Sequence, residues 1–209
     1  MRRRTPALEL PPLAFPDEAV DALGRGDPLS IDAVLGDDVA RGVFDAALEA
    51  RDAGRLRCPG IGDRGTRHPE IRSDEAMWVD EDDVDTRLHP VLELFEQVGE
   101  CLRRDAYLGV RGFETQLAVY STGAHYQRHR DALVRSSRRI ATAIYYANVK
   151  WRPGHGGELE VWNTHESSLV PPIADRLVVF LAERLEHAVR KVEVGPRVAM
   201  TAWYRTLDA

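Results

Sequence analysis

The chain has 209 residues, 44% of them hydrophobic and 30% charged, the composition of a globular protein able to bury a core. Its 34 acidic and 28 basic residues leave a net charge of -6, which gives no ground for expecting a nucleic-acid partner. Two cysteines, Cys58 and Cys101, exclude a disulfide framework and a cysteine zinc site, so a reducing, cytoplasmic setting is expected.

The first fifteen residues, rich in Arg and Pro, read as a disordered extension, and 16–209 as a single domain. The basic start followed by apolar residues faintly resembles a secretory signal, but Glu9, Pro11 and Pro12 break it. No apolar run approaches the roughly 18 residues that a membrane helix needs. From Asp17 to Leu23 a short helical pattern is stopped by Gly24 and Gly26. A stronger helix is expected over 37–53, capped by Asp37 or Asp38. It would place Val39, Val43, Phe44, Ala47 and Leu48 on one face, with Gly54 at its end. Residues 55–70, dense in Gly, Pro, Arg and Asp, read as a long loop, and the acidic run 74–85 as a solvated approach to the next helix. That helix is expected over 90–104, with Val91, Leu94, Phe95, Val98 and Leu102 as its apolar stripe.

After Gly112 the apolar period changes to two. β-Branched and aromatic segments at 113–120, 139–148, 158–162, 168–171, 176–181, 188–194 and 198–205 are separated by Gly, Pro, Asn or charged turns. The expected fold is therefore α+β. Its core would be a double-stranded β-helix, the cupin-like jelly roll, over about 106–209, with supporting N-terminal helices over about 16–105.

Of the seven histidines, His68, His89, His155 and His165 fall in loop-like contexts where a solvated role suffices. His129-Arg130-Asp131 differs, because residues two apart on extended backbone project to one side and can address one ion. His187, just past the 176–181 segment, could supply a second imidazole. Two imidazoles and a carboxylate on one face leave positions open and suit redox-active iron(II). The His-x-Asp pair alone is a weak signal, since such pairs arise by chance. Arg197, at the head of the last β segment, strengthens it, because a guanidinium there could grip a carboxylate bidentately. Thr201, on the same side, could add a hydroxyl hydrogen bond. A dicarboxylate that chelates the metal through an oxo-acid end would present its other carboxylate to this pair.

Further blocks accompany these residues: Ile71-Arg72-Ser73-Asp74 with Trp78, Tyr120-x-x-Gly123-x-x-Tyr126, and Arg139-x-x-Thr142-x-Ile144-Tyr145-Tyr146-x-Asn148. Gly156-Gly157-Glu158-Leu159, Asp175-Arg176-Leu177 and Trp203-Tyr204 follow in order. From Arg72 onward the chain resembles the prolyl-hydroxylase branch of the Fe(II)/2-oxoglutarate-dependent oxygenases, as a bacterial relative of the animal oxygen-sensing enzymes. The resemblance implies Fe(II) on His129, Asp131 and His187, with 2-oxoglutarate and O2 as cosubstrates and ascorbate as a candidate stimulant. Tyr146 would hydrogen-bond the distal carboxylate of 2-oxoglutarate beside Arg197, and Tyr120 would line the same pocket. Tyr126, Arg139 and Trp203 would help form the substrate cleft, with Arg72 and Asp74 on or beside a mobile loop that covers it. Core packing is expected for Tyr145. Ser73 stands where the family commonly has glycine, and His125 has no assigned role.

The reaction implied is hydroxylation of a proline within a protein, releasing succinate and CO2. Bacterial relatives that act on elongation factor Tu make such a translation factor one target. Two alternatives remain open: a hydroxylase of a free amino acid or small metabolite, which calls for a closed pocket, and a cupin-like sensor that binds metal without turnover. No nucleic-acid or membrane partner is expected, and the sequence leaves the oligomeric state open.

Overall fold

The computed structural model describes residues 12–60, 68–79, 85–132, 139–162 and 167–206. Its helices are α1 (Asp17–Arg25), α2 (Asp37–Asp52) and α3 (His89–Arg104). The strands are β1 (Leu29–Asp32), β2 (Glu75–Val79), β3 (Gly112–Ser121), β4 (Tyr126–His129), β5 (Arg139–Tyr146), β6 (Leu159–Trp162), β7 (Ser167–Val170), β8 (Arg176–Leu181), β9 (Glu186–Val189) and β10 (Pro196–Arg205). They form two antiparallel sheets, a six-stranded one in the order β1-β8-β5-β10-β3-β2 and a four-stranded one in the order β4-β9-β6-β7. This is the expected jelly roll.

Alternation along the central strands builds two cores back to back. Tyr145, Met200, Ala202 and Tyr204 face the helices, where they meet Val43 and Ala47 of α2 and Phe95 and Val98 of α3. Their neighbours Ile144, Tyr146 and Ala199 point the other way, onto Leu159 and Val161 of the small sheet. One residue of register thus decides that Tyr145 is core and Tyr146 faces the space between the sheets. The Tyr204 hydroxyl, buried under α3, donates to the Phe95 carbonyl at 2.8 Å, so the tight helix-side core carries no stranded phenol there.

Several expectations need correction. The stretch expected to be purely helical support contributes two edge strands to the large sheet, β1 and β2. β2 lies inside the acidic run read as solvated, because Ala76 is buried while the acids cluster at the run's ends. The segment expected as a strand over 188–194 is strand only as far as Val189. Beyond it the backbone is bonded to loops instead: Arg190 N–H to Glu158, Val192 N–H to Ala124, and Glu193 N–H to His155. Neither Asp37 nor Asp38 caps α2. Its entry is held from far along the chain by Asp175, which accepts the N–H groups of Leu35 and Gly36 at 2.8 and 2.7 Å. The end of the supposed extension is also packed: Phe15 is buried and its N–H donates to Asp105. Residues 1–11 lie outside the described residues. No helix among the described residues is long and apolar enough to cross a membrane.

Candidate active site

The two sheets meet their polar residues at one open end. His129 ends β4 and His187 lies on β9, and the two are directly paired across the small sheet. Asp131 follows two residues after His129, as extended backbone requires. His129 Nε2 lies 3.6 Å from Asp131 Oδ1, and His187 Nε2 lies 3.8 Å from Asp131 Oδ2. The three donor atoms all fall within 4.8 Å of one another, close enough to share one ion.

Neighbouring groups orient each donor. His129 Nδ1 lies 2.7 Å from the Gln127 carbonyl, and His187 Nδ1 lies 3.4 Å from that of Leu185. A carbonyl needs an N–H opposite it, so both Nδ1 atoms carry the proton and both Nε2 lone pairs turn toward the aspartate. Burial pushes His187 down to about 4, against the pull of the Asp131 carboxylate, so the ring is neutral at physiological pH. Burial also acts on Asp131, but His187, His129 and Thr142 outweigh it and hold the carboxyl below its ordinary range. The Thr142 hydroxyl donates to Asp131 Oδ2 at 2.7 Å, reaching across from the large sheet. Tyr126 stacks on His129 with centroids 3.6 Å apart, and Phe180 lies 4.8 Å from His187.

Deeper between the sheets lies a second polar cluster. Arg197 is opposite Tyr120 in the β10–β3 ladder, and only 3% of it is exposed. Its guanidinium sits between the rings of Tyr120 and Tyr146, 4.7 and 4.9 Å from their centroids. Among the described residues it has no ion pair, and the buried hydroxyl of Tyr146 has no hydrogen-bond partner. A buried cation without an anion is costly, so the cluster calls for a bound anion with an acceptor near the phenol. Thr201 lies four residues further along β10, on the same side beyond Ala199 and opposite Gln116. Two imidazoles and a carboxylate beside a buried cation form a donor set that fits iron(II) together with a dicarboxylate chelator.

The profile of the 2OG-Fe(II) oxygenase superfamily matches residues 115–205, which hold all of these groups. Residues 115–205 thus carry a 2OG-Fe(II) oxygenase domain. It is 34% identical over 150 residues to a hypoxia-inducible factor prolyl hydroxylase of Caenorhabditis elegans, an alignment covering 65% of this chain but only 20% of that protein. It is 29% identical over 183 residues to human prolyl hydroxylase EGLN3, covering 83% and 76% of the two chains. The crystal structure of a Pseudomonas putida prolyl-4-hydroxylase superposes with a TM-score of 0.80 at 28% identity, over 89% of this chain and 96% of that one. A prolyl hydroxylase from Trichoplax adhaerens in complex with a hypoxia-inducible factor peptide fragment gives 0.80 at 25% identity, over 89% and 86%. An oxygenase of this superfamily is a dioxygenase that uses Fe(II), 2-oxoglutarate and O2.

The remaining residues expected at the oxygenase cleft are placed unevenly. Arg139 lies over the Trp203 ring at 4.2 Å and donates to Glu114 at 2.9 Å. Trp203 keeps a buried indole N–H without a partner among the described residues and meets Trp78, which is 57% exposed, edge to face at 5.8 Å. Asp74, by contrast, is fully buried. Arg72 clasps it through Nε at 2.6 Å and Nη2 at 2.8 Å, donates to Gln116 and covers the Tyr126 ring at 4.8 Å. Asp74 is therefore spent inside the protein rather than offered to a substrate. The expected covering loop is fixed at this point too, and the two loose ends of the sequence, Ser73 and His125, fix it. The Ser73 hydroxyl accepts the His125 N–H at 3.1 Å, the Ser73 N–H donates to the His125 carbonyl, and His125 Nε2 meets the Glu70 carbonyl at 3.1 Å. Residues 61–67 of that loop lie outside the described residues. Sequence reasoning missed Thr142, Gln116 and Glu114 as partners; only their period-two spacing on β5 and β3 could have placed them on the inner face.

Proposed function

We propose that the chain is a prolyl hydroxylase acting on a protein, with His129, Asp131 and His187 as iron ligands and Arg197 as the anchor for 2-oxoglutarate. Arg197, buried and without an anion among the described residues, lies on the sheet that faces the triad histidines and carries this reading, since a metal-binding sensor without turnover has no use for it. Bound iron(II), 2-oxoglutarate and O2 supply the oxidising chemistry, in which 2-oxoglutarate becomes succinate and CO2 and one oxygen atom enters a substrate C–H bond. The protein's share is orientation. Arg197 and Tyr146 grip the distal carboxylate, Tyr120 walls the pocket, and Thr142 and the two backbone carbonyls hold the ligand atoms in place. Tyr126, Arg139 and Trp203 line the mouth. Arg72 serves the cleft as a wall, buttressing Tyr126.

The likeness to a structure with a bound peptide favours a polypeptide substrate over a free amino acid, as does the exposed Trp78 ring beside Trp203. Elongation factor Tu is the first target to try, and the cytoplasm the setting in which to seek it. Residues 16–209 are read as one oxygenase domain. The test is incubation of the iron-loaded protein with 2-oxoglutarate and a cell extract, followed by peptide mass spectrometry. A 16 Da gain on proline, dependent on 2-oxoglutarate and absent with His129→Ala, is expected. Turnover confined to free amino acids would overturn the polypeptide reading.

A further inference from the structure

Arg197 is held from behind by groups that none of the above uses. Its Nε donates to the Gly157 carbonyl at 2.9 Å, buried from solvent. Gly157 has φ 75°, and a Cβ on it would stand 3.2 Å from both Arg197 Cδ and Val192 Cγ2. Glycine is required here twice, by backbone conformation and by closeness to the arginine stem. The carbonyl itself is not free to swing. Gly157 N–H bonds the Lys191 carbonyl, Gly156 pairs with Val192, and a Cβ on Gly156 would lie 2.1 Å from the Lys191 oxygen.

The backbone of Arg197 is pinned from the other side. The β10–β5 ladder runs no further than Ala199 opposite Tyr146; beyond it the Val198 carbonyl still accepts the Ala147 N–H at 3.4 Å, but the Val198 N–H has lost its ladder acceptor. The buried Asn148 side chain replaces it. Its Oδ1 accepts the Val198 N–H at 2.6 Å, and its Nδ2 donates to the Val198 carbonyl at 3.1 Å and to that of Pro172 at 2.7 Å. An amide with one acceptor and two donors is thus fully used, on the residue next to the arginine.

From this geometry we infer that Gly157 and Asn148 are positioning residues that preset Arg197 for the cosubstrate carboxylate before it binds. This rests on the reading of Arg197 as anchor. With Nε occupied by Gly157 and both faces covered by tyrosines, the guanidinium can meet a carboxylate only end-on, through its two terminal nitrogens. Holding that edge in place in advance removes ordering entropy from the binding step. It also excludes a side-on grip.

The test is calorimetric titration of the iron(II) protein, without oxygen, with 2-oxoglutarate and with oxalate, which can chelate the metal but has no distal carboxylate. Gly157→Ala is expected to weaken 2-oxoglutarate about tenfold or more and oxalate less than about twofold, and to have no further effect in an Arg197→Ala background. Equal loss of both ligands, unchanged 2-oxoglutarate affinity, or the same further loss on top of Arg197→Ala would overturn the proposal. If Arg197→Ala alone leaves 2-oxoglutarate affinity unchanged, the anchor reading itself fails, a separate result. A second measurement needs no change at Gly157 or Asn148. The Arg197 Nε–H proton, assigned in nuclear magnetic resonance spectra by its loss in Arg197→Lys, should exchange slowly in protein free of 2-oxoglutarate. Exchange as fast as that of surface arginines would show that nothing presets it.

Discussion

At the scale of single residues, the site is made of groups that cost stability. Among the described residues, Arg197 buries a charge without an anion, Tyr146 and Trp203 bury polar atoms without hydrogen-bond partners, and His187 gives up its proton to remain buried. Each cost is recovered only when a ligand arrives, which separates such groups from core residues such as Tyr145, whose hydroxyl is satisfied by Asp175 at 3.1 Å. Replacing Arg197 by Met, of similar length but uncharged, should therefore act in two directions. Loss of a hydrogen bond to a charged group costs about 1.5–3 kcal/mol, or roughly ten- to 150-fold in 2-oxoglutarate affinity. The ligand-free protein, relieved of its buried charge, should unfold at the same urea concentration as the parent or a higher one. Tighter 2-oxoglutarate binding, or a marked fall in the urea midpoint, would show that Arg197 is a structural cation and not an anchor.

At the scale of elements, how legible each piece was depended on how local its cause is. β8 is read from sequence at its observed bounds, because period-two apolar residues on one short segment announce a strand without help from elsewhere. β1 is only four residues, too short to show a period despite the Gly26-Asp27-Pro28 turn before it, and β2 is hidden among acids, so both owe their state to the strand they join rather than to their own composition. The candidate metal triad was legible because His-x-Asp needs only extended backbone, whereas Thr142's bond to Asp131 needs the two sheets to be facing. The entry to α2 shows the same limit. Asp175, in a left-handed conformation at φ 60°, collects the N–H groups of Leu35 and Gly36 and the hydroxyl of Tyr145. No window of sequence reveals an anchor that lies some 140 residues away. Asp175→Ala should strand all three donors, at about 1–3 kcal/mol each, and lower stability by roughly 3 kcal/mol or more in chemical denaturation. Iron affinity should change little, since no metal-ligating group touches Asp175. A loss under 1 kcal/mol would mean that water takes over the carboxylate's role.

At the scale of the whole molecule, the site is the place where the two sheets are tied together. His129 and His187 come from the small sheet, Thr142 holds Asp131 from the large one, and apolar residues of both fill the space behind. A metal on the triad therefore bridges elements that come apart on unfolding, and the unfolded chain has no such site. Binding to the folded state alone stabilises it by about 2.7 kcal/mol when free metal stands at a hundred times its Kd. For a chain of this length, each kcal/mol moves the thermal midpoint by about 2–4 °C, so a rise of roughly 5–11 °C is expected. Manganese(II) suits the measurement, since it takes the same oxygen and nitrogen donors without consuming oxygen in the assay. Asp131→Ala should abolish the rise, because it removes one ligand and the group that both histidines face. Asn148→Ser should keep it, since Asn148 serves the arginine and not the metal. A shift that survives Asp131→Ala would place the metal elsewhere, and a parent protein whose midpoint does not move would leave the triad without its ion.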